Sequence, residues 1–394
     1  MHFDKRGHYS EIKRLGIFGT FTALGLSAII TIWAIYLDSY LHNASYVGFL
    51  TAFFTIIGTL TFIFAVPLIE KINKVKFFSL ILILLFIFYA LFSIISNFYI
   101  VIILGIITSI IGSLRISAYG ILIREKSKDS SLSKNEGLIY TILNSSFFIA
   151  PIIAGFIASK YGIKYVFLFG SLMFLVSFLL SKKLKLKEIK PKKKIDKNPL
   201  KLFFDFFKDK NKRLAYFLGG GIHFWWVLIY VFVPIYMYEN NLGNKIIGYF
   251  IAAIVLPLIL SEYKIGKIAS KKGFKKLFFY GYTILGLTAL ICFFITNIYL
   301  MLIILILASF GAAMIEPINE AYFFDIIKKK DREKYYPQYL TVIGISPFFS
   351  RFFSAVVLLI FPFKFIFLLF AIVMFSIAIL SSKVKNIVES KKRR

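Results

Sequence analysis

Residues 97–123 read NFYIVIILGIITSIIGSLRISAYGILI, and residues 297–323 read NIYLMLIILILASFGAAMIEPINEAYF. Both open on Asn-x-Tyr. The first carries one charge, Arg115, and the second carries two, Glu316 and Glu320. A helix needs about 20 apolar residues to cross ~30 Å of hydrocarbon. An open strand cannot satisfy its backbone groups in lipid. Both stretches therefore read as membrane-spanning helices, and they stand 200 residues apart.

Sliding the chain on itself by that distance keeps one register over most of its length. Gly19 meets Gly219, Tyr36 meets Tyr236 and Gly48 meets Gly248. Ser109, Ser146 and Phe148 meet Ser309, Ser346 and Phe348, and Lys164 meets Lys364. Runs of the required length lie near 14–37, 46–69, 77–95, 98–123, 137–159, 163–181, 214–237, 246–262, 277–296, 298–324, 338–360 and 363–381. The reading is an all-α integral membrane protein: twelve transmembrane helices as two six-helix bundles, related by a pseudo-two-fold axis along the membrane normal. The expected organisation is an N-terminal bundle over 1–181, a basic linker over 182–213 and a C-terminal bundle with a basic tail over 214–394.

Composition agrees. Of 394 residues 59% are hydrophobic and 17% charged, with a mean hydropathy of +0.80. A soluble domain of this length leaves too much surface in water to hide that apolar content. A soluble enzyme and a disordered tail protein are both excluded.

The net charge of +29 finds its explanation in topology. With the N-terminus inside, 42 of the 48 Lys and Arg fall in cytoplasmic segments. Only Lys160, Lys164, Lys245 and Lys364 fall outside, and Arg115 and Arg351 lie within spans. That bias places both termini and the linker in the cytoplasm of a multi-pass cell-membrane protein. It accounts for the charge without nucleic acid, the surplus lying against anionic lipid headgroups.

No phosphate-binding loop of the G-x-x-x-x-G-K-[ST] type occurs. The single cysteine, Cys292, and four scattered histidines build no metal site. The expectation is a protein that is not an enzyme and has no cofactor or metal, its energy coming from a gradient or from the solute itself.

Three segments carry a resemblance. The loop after the second span reads Val66-Pro-Leu-Ile-Glu70-Lys71-Ile-Asn73-Lys74-Val-Lys76, and its copy reads Gly266-Lys-Ile-Ala-Ser270-Lys271-Lys272-Gly273-Phe-Lys275-Lys276. The fifth span contains Ala150-Pro151-Ile-Ile-Ala154-Gly155. The loops resemble G-x-L-x-D-R-x-G-R-K, and the third segment resembles G-P-x-x-G-G, of the major facilitator superfamily of secondary transporters. The first loop departs at Val66 and Asn73, the second keeps its glycines and loses the acid, and Ala replaces two glycines in the span.

The resemblance covers essentially the whole chain. It implies alternating access in a monomer, with two halves rocking about a central cavity lined by spans one, four, seven and ten. It also implies that Glu70, Lys71 and Lys271 help to close the cytoplasmic side. Pro151 and Gly155 belong to an element associated with exporters. On the residues alone they read as helix packing, because small residues allow close approach and proline bends a helix.

Ionisable groups at membrane depth are expensive and face an interior. Arg115, His223, Glu316, Asn319, Glu320 and Arg351 are the candidates. Helical spacing sets Thr108, Gly112, Arg115 and Tyr119 on one stripe, and His223, Trp226 and Tyr230 on another. Ser309, Ala313, Glu316 and Glu320 form a third, and Thr20, Ser27, Thr31 and Asp38 line span one. Arg115, His223 and Glu316 share a height about 14 Å from the inner boundary.

Arg115 and Glu316 are expected to face each other across the cavity; the duller reading of Glu316 is a structural pair with Arg351 on the adjacent span. Glu125 and Asp325, equivalent under the 200-residue shift, are expected to contact loop lysines. The expected partners are a small-molecule solute, H+ and membrane lipids. The preferred function is proton-coupled export of a small organic solute or drug. Uptake of an anion held by Arg115 and Arg351 is the alternative. A sensor or scaffold that moves nothing is the alternative from another class.

Overall fold

The computed structural model describes residues 5–69, 72–126, 132–183, 199–328 and 331–384. Its helices are α1 (Lys5–Leu41), α2 (Ala44–Ile69), α3 (Lys74–Ile94), α4 (Phe98–Lys126), α5 (Leu132–Lys160) and α6 (Ile163–Lys183). A short linker helix, α7 (Pro199–Lys208), precedes α8 (Lys210–Val227), α9 (Val233–Glu239), α10 (Asn244–Lys272), α11 (Lys275–Phe294) and α12 (Ile298–Ile326). The chain continues through α13 (Arg332–Leu340), α14 (Val342–Ile360) and α15 (Phe365–Ser381).

Among the described residues, eleven helical segments are long and apolar enough to cross a membrane. The twelfth expected span is α15, with 17 residues. At 1.5 Å per residue it covers about 25 Å, a little less than a full hydrocarbon core. Most span boundaries lie within a few residues of those set by run length, but α1 begins nine residues before the expected 14–37, α10 runs ten residues past the expected 246–262, and the expected span 338–360 is broken at Thr341 between α13 and α14. Polar and basic residues continue a helix that the apolar run alone delimits too tightly.

The turns carry their own chemistry. Asn97 accepts from the backbone N–H of Tyr99 and Ile100, and Asn297 from that of Leu300. Each asparagine starts its helix at one of the orphan amides. The spans that begin each half end alike, on left-handed residues just past α1 and α9: His42 with φ 47° and Asn241 with φ 60°.

Repeated contacts confirm the register in three dimensions. The Ser146 hydroxyl donates to the Thr20 carbonyl, and the Ser346 hydroxyl to the Gly220 carbonyl. Both pairs differ by the same 200-residue shift. The shift also maps Gly48 beside Ala355 onto Gly248 beside Gly155.

The described chain falls into two compact units. One comprises Met1–Tyr36, Ile57–Asp196 and Gly243–Ala252; the other comprises Leu37–Ile56, Lys197–Leu242 and Ala253–Arg394. Each unit thus takes in one short segment, 37–56 or 243–252, from the opposite half of the sequence.

In the first unit the end of α4 is tied by charge to α3 and to α1. Lys74, fully buried, pairs with Glu125 at 3.3 Å, and Lys126 pairs with Glu11 at 3.0 Å. Glu125 therefore meets a loop-proximal lysine as its position suggested. The equivalent of Lys74 in the second half is Phe274, buried with its ring against that of Tyr322, which also packs on Phe278. An ion pair in one copy is replaced by aromatic packing in the other. Glu70 and Lys71 lie outside the described residues, as do residues 184–198 of the linker.

The described part of the linker, α7, is amphipathic. Phe206 is buried among Tyr216, Phe323 and Tyr335, while Phe204 is exposed. A hydrogen bond from the Lys208 ammonium holds the carboxyl of Asp205 below the usual range. The Asp209 carboxylate caps α8 through the amides of Asn211 and Lys212. The Lys212 ammonium sits 3.6 Å from the centre of the Tyr335 ring.

Candidate functional site

In the second unit the polar groups of α8 and α12 meet. The Trp226 indole Nε1–H donates to Glu316 Oε1 at 2.6 Å. Hydrogen bonds to a charged group contribute about 1.5–3 kcal/mol, more than neutral ones. Trp226 also packs on Leu258, Ile265 and Ala313. The carboxyl is thus held by a ring that is itself wedged against apolar neighbours.

Two prolines shape this place. Pro317 follows Glu316 inside α12, so its ring removes the N–H that Ala313 would otherwise receive and crowds that carbonyl. In the seventh span Pro234 acts likewise toward the Tyr230 carbonyl. The helix responds with a π turn over Leu228–Phe232, closed by the Val233 N–H on the Leu228 carbonyl. Tyr230 sits in this widened turn, its ring 5.6 Å from that of Trp226. A single π turn inserted in a helix often marks a working part of a protein.

Further along α12, Glu320 accepts from the Tyr336 hydroxyl at 3.1 Å. Asn319 is buried, and its Oδ1 has no hydrogen-bond partner among the described residues. His223 lies half-buried on the Trp226 face of α8. Arg351, in α14, donates from Nη1 to Thr55 Oγ1 at 2.8 Å, and its Nε has no partner among the described residues. Arg351 thus makes a contact with α2, and Glu316 makes one with α8.

In the first unit Arg115 lies half-buried on α4, within electrostatic reach of Tyr89 and Tyr119. Its Nε also has no hydrogen-bond partner among the described residues. Tyr119 has a packing role: its hydroxyl donates to the Leu15 carbonyl at 3.0 Å and its ring stacks on Phe78. Gly19 leaves room for that ring, since a Cβ there would overlap the Tyr119 hydroxyl. The two threonines of the span-one stripe bond within their own helix, Thr20 donating to the Gly16 carbonyl and Thr31 to the Ser27 carbonyl.

Pro151 and Gly155 are brought to a backbone contact. A Cβ on Gly155 would lie 2.7 Å from the Asn244 carbonyl oxygen and 3.0 Å from Gly248 Cα. A Cβ on Gly248 would fall on the Pro151 carbonyl. Lys271 stands exposed in a lysine-lined groove at the end of α10.

Three partners were not singled out in the sequence: Thr55, Tyr89 and Tyr336. Threonine and tyrosine are common in membrane helices, and only the packing of α2, α3 and α13 gives these three a charged neighbour.

The family profile described as Major Facilitator Superfamily matches residues 15–261 and 215–393. An uncharacterized MFS-type transporter of Methanocaldococcus jannaschii is 25% identical over 261 residues, 64% of this chain and 66% of that protein. The match thus spans just under two thirds of the relative's length. Among solved structures, a POT family transporter in complex with 5-aminolevulinic acid superposes with a TM-score of 0.78 at 12% identity, covering 96% of this chain and 97% of that one. A mutant of the nucleoside transporter NupG gives a TM-score of 0.76 at 13% identity, over 95% and 99% of the two chains. At those identities the likeness is one of fold.

Proposed function

The chain belongs to the major facilitator superfamily, and from that membership we propose that it is a secondary active transporter working by alternating access, coupled to protons and exporting a small organic solute. Membership makes it a multi-pass membrane transporter. The coupling reading is carried by one observation, the Glu316 carboxyl held at membrane depth by the Trp226 indole. A carboxyl can change charge during a cycle, and its proton affinity depends on water access and on nearby cations. Export rests on the resemblance around Pro151 and Gly155. Residues 1–181 and 214–394 are the two halves of this reading, joined by the linker 182–213. The protein acts as a monomer in the cell membrane.

The test is accumulation in proteoliposomes under an imposed pH gradient. Solutes are first chosen by their thermal stabilisation of the purified protein. Concentration of such a solute against its gradient, abolished by a protonophore, supports proton coupling. Accumulation indifferent to the protonophore excludes it.

A second reading is favoured by a separate observation. Arg115 and Arg351 each keep an Nε without a hydrogen-bond partner among the described residues. A guanidinium clamps carboxylates and phosphates through paired donors. On this reading the solute is an anion and is taken up. Arg115→Gln is then expected to weaken binding of anionic solutes while sparing cationic ones; equal affinity for both excludes it.

Orientation follows from the basic residues, 42 of which lie on one side. In a Cys292→Ser background, Lys193→Cys is expected to resist a membrane-impermeant thiol reagent in intact cells and to react after permeabilisation. Reaction in intact cells would reverse the topology.

A further inference from the structure

The last three turns of α10 carry lysines beyond what topology asks. Lys264, Lys267, Ile268, Lys271 and Lys272 line an open groove of about 330 Å³. Lys275 and Lys276 follow at the start of α11, and Glu262 is the one acid in residues 262–276.

Two ordinary explanations cover only part of this. Cations at a helix C-terminus are favoured by the dipole, but the effect fades within the last turn. It reaches Lys271 and Lys272, whereas Lys264 and Lys267 lie eight and five residues before the end of the helix. A basic loop would set topology, but Lys271, Lys272, Lys275 and Lys276 already supply one.

The repeat provides an internal control. The positions equivalent to 264, 267, 271, 272, 275 and 276 are Phe64, Pro67, Lys71, Ile72, Val75 and Lys76. Six lysines in the second copy correspond to two in the first. On α2 the exposed stripe stays apolar through Leu60 and Phe64. The fold therefore does not require cations at these depths.

The face is amphipathic along the helix axis. Leu256, Leu260, Lys264, Lys267 and Lys271 fall within about 80° of one another at 100° per residue, opposite the buried Leu258 and Ile265. Leu260 is 61% exposed and Ile268 is 43% exposed. The stripe passes from leucine to lysine along about 22 Å of helix. An apolar stripe ending in a cationic groove fits one molecule: a phospholipid, its chain along Leu256 and Leu260 and its phosphate among the lysines.

We propose that the basic end of α10 is a binding site for an anionic phospholipid, held through its phosphodiester by Lys264, Lys267, Lys271 and Lys272. The proposal needs the membrane placement of α10 and is independent of the coupling reading.

Native mass spectrometry of the full chain, titrated with dioleoylphosphatidylglycerol or dioleoylphosphatidylcholine, tests it. The wild type is expected to retain one phosphatidylglycerol at least about tenfold more tightly than phosphatidylcholine, an effect within reach of a few surface lysines. The four Lys→Gln changes at 264, 267, 271 and 272 are expected to erase that preference, and four Lys→Arg changes to keep it. Gln changes at Lys190, Lys192, Lys193 and Lys194 remove equal charge from the linker and are expected to leave the preference intact. Persistence in the α10 Gln variant, or equal loss in the linker variant, overturns the site. Displacement of the lipid by equimolar inorganic phosphate would also overturn it, since the groove would then be a free-phosphate site.

Discussion

Glu316→Gln is expected to abolish gradient-driven accumulation of solute while leaving binding and exchange close to wild type. Glutamine keeps an oxygen where the Trp226 Nε1–H donates, so the contact between α8 and α12 survives. What is lost is the ability to take up and release a proton. A difference of one pKa unit between two states of a carrier is worth ~1.4 kcal/mol, a tenfold bias. Accumulation driven by pH should therefore fall by at least about tenfold, to equilibration. Exchange needs no net proton movement and should persist. A Gln variant that still concentrates solute with normal pH dependence would remove Glu316 from the coupling path.

Gly248→Leu is expected to have the largest effect among packing changes. Its Cβ would fall on the Pro151 carbonyl, with Gly155 Cα at 3.0 Å. Both obstacles are backbone, so no side chain can turn aside. Overpacking of this kind costs about 1–3 kcal/mol. The variant should melt earlier and lose most of its transport. Gly48→Ala meets the Ala355 Cβ at 2.8 Å, a methyl fixed to its backbone, and should be milder because the added group is smaller and its overlap less severe. Gly112→Ala, with nothing within 4 Å of the added Cβ, should be neutral in stability. Melting of the three purified variants checks this order; equal melting of all three would contradict the contact between α5 and α10.

The fold was legible because lipid leaves so little choice. A run such as 98–123 can only be a helix there, and its length in residues sets its boundaries. The repeat was legible through Gly48 and Gly248, or Ser146 and Ser346, because equal packing needs equal small residues.

Parts of the candidate site were legible for a different reason. Arg115, Glu316 and Arg351 stand out in apolar runs, where charge must have a purpose. Their partners were not. Thr55 looks like any threonine that bonds its own helix, as it does to the Thr51 carbonyl; its hydrogen bond from Arg351 depends on α14. Tyr119 sat on the right stripe yet serves the α1–α4 contact. The π turn at Leu228–Phe232 had a signal in Pro234, whose missing N–H forces the preceding turn to readjust.

Solute counterflow tests the central claim most directly. Proteoliposomes are loaded with an unlabelled solute that stabilises the purified protein and diluted into a trace of the same solute, labelled, with no ion gradient. A carrier with alternately exposed sites exchanges one for the other, so label should rise transiently above its equilibrium level and then decline. Uptake that only approaches equilibrium without an overshoot would indicate a channel. No protein-dependent uptake of any stabilising solute would contradict transport itself and leave a sensor or scaffold.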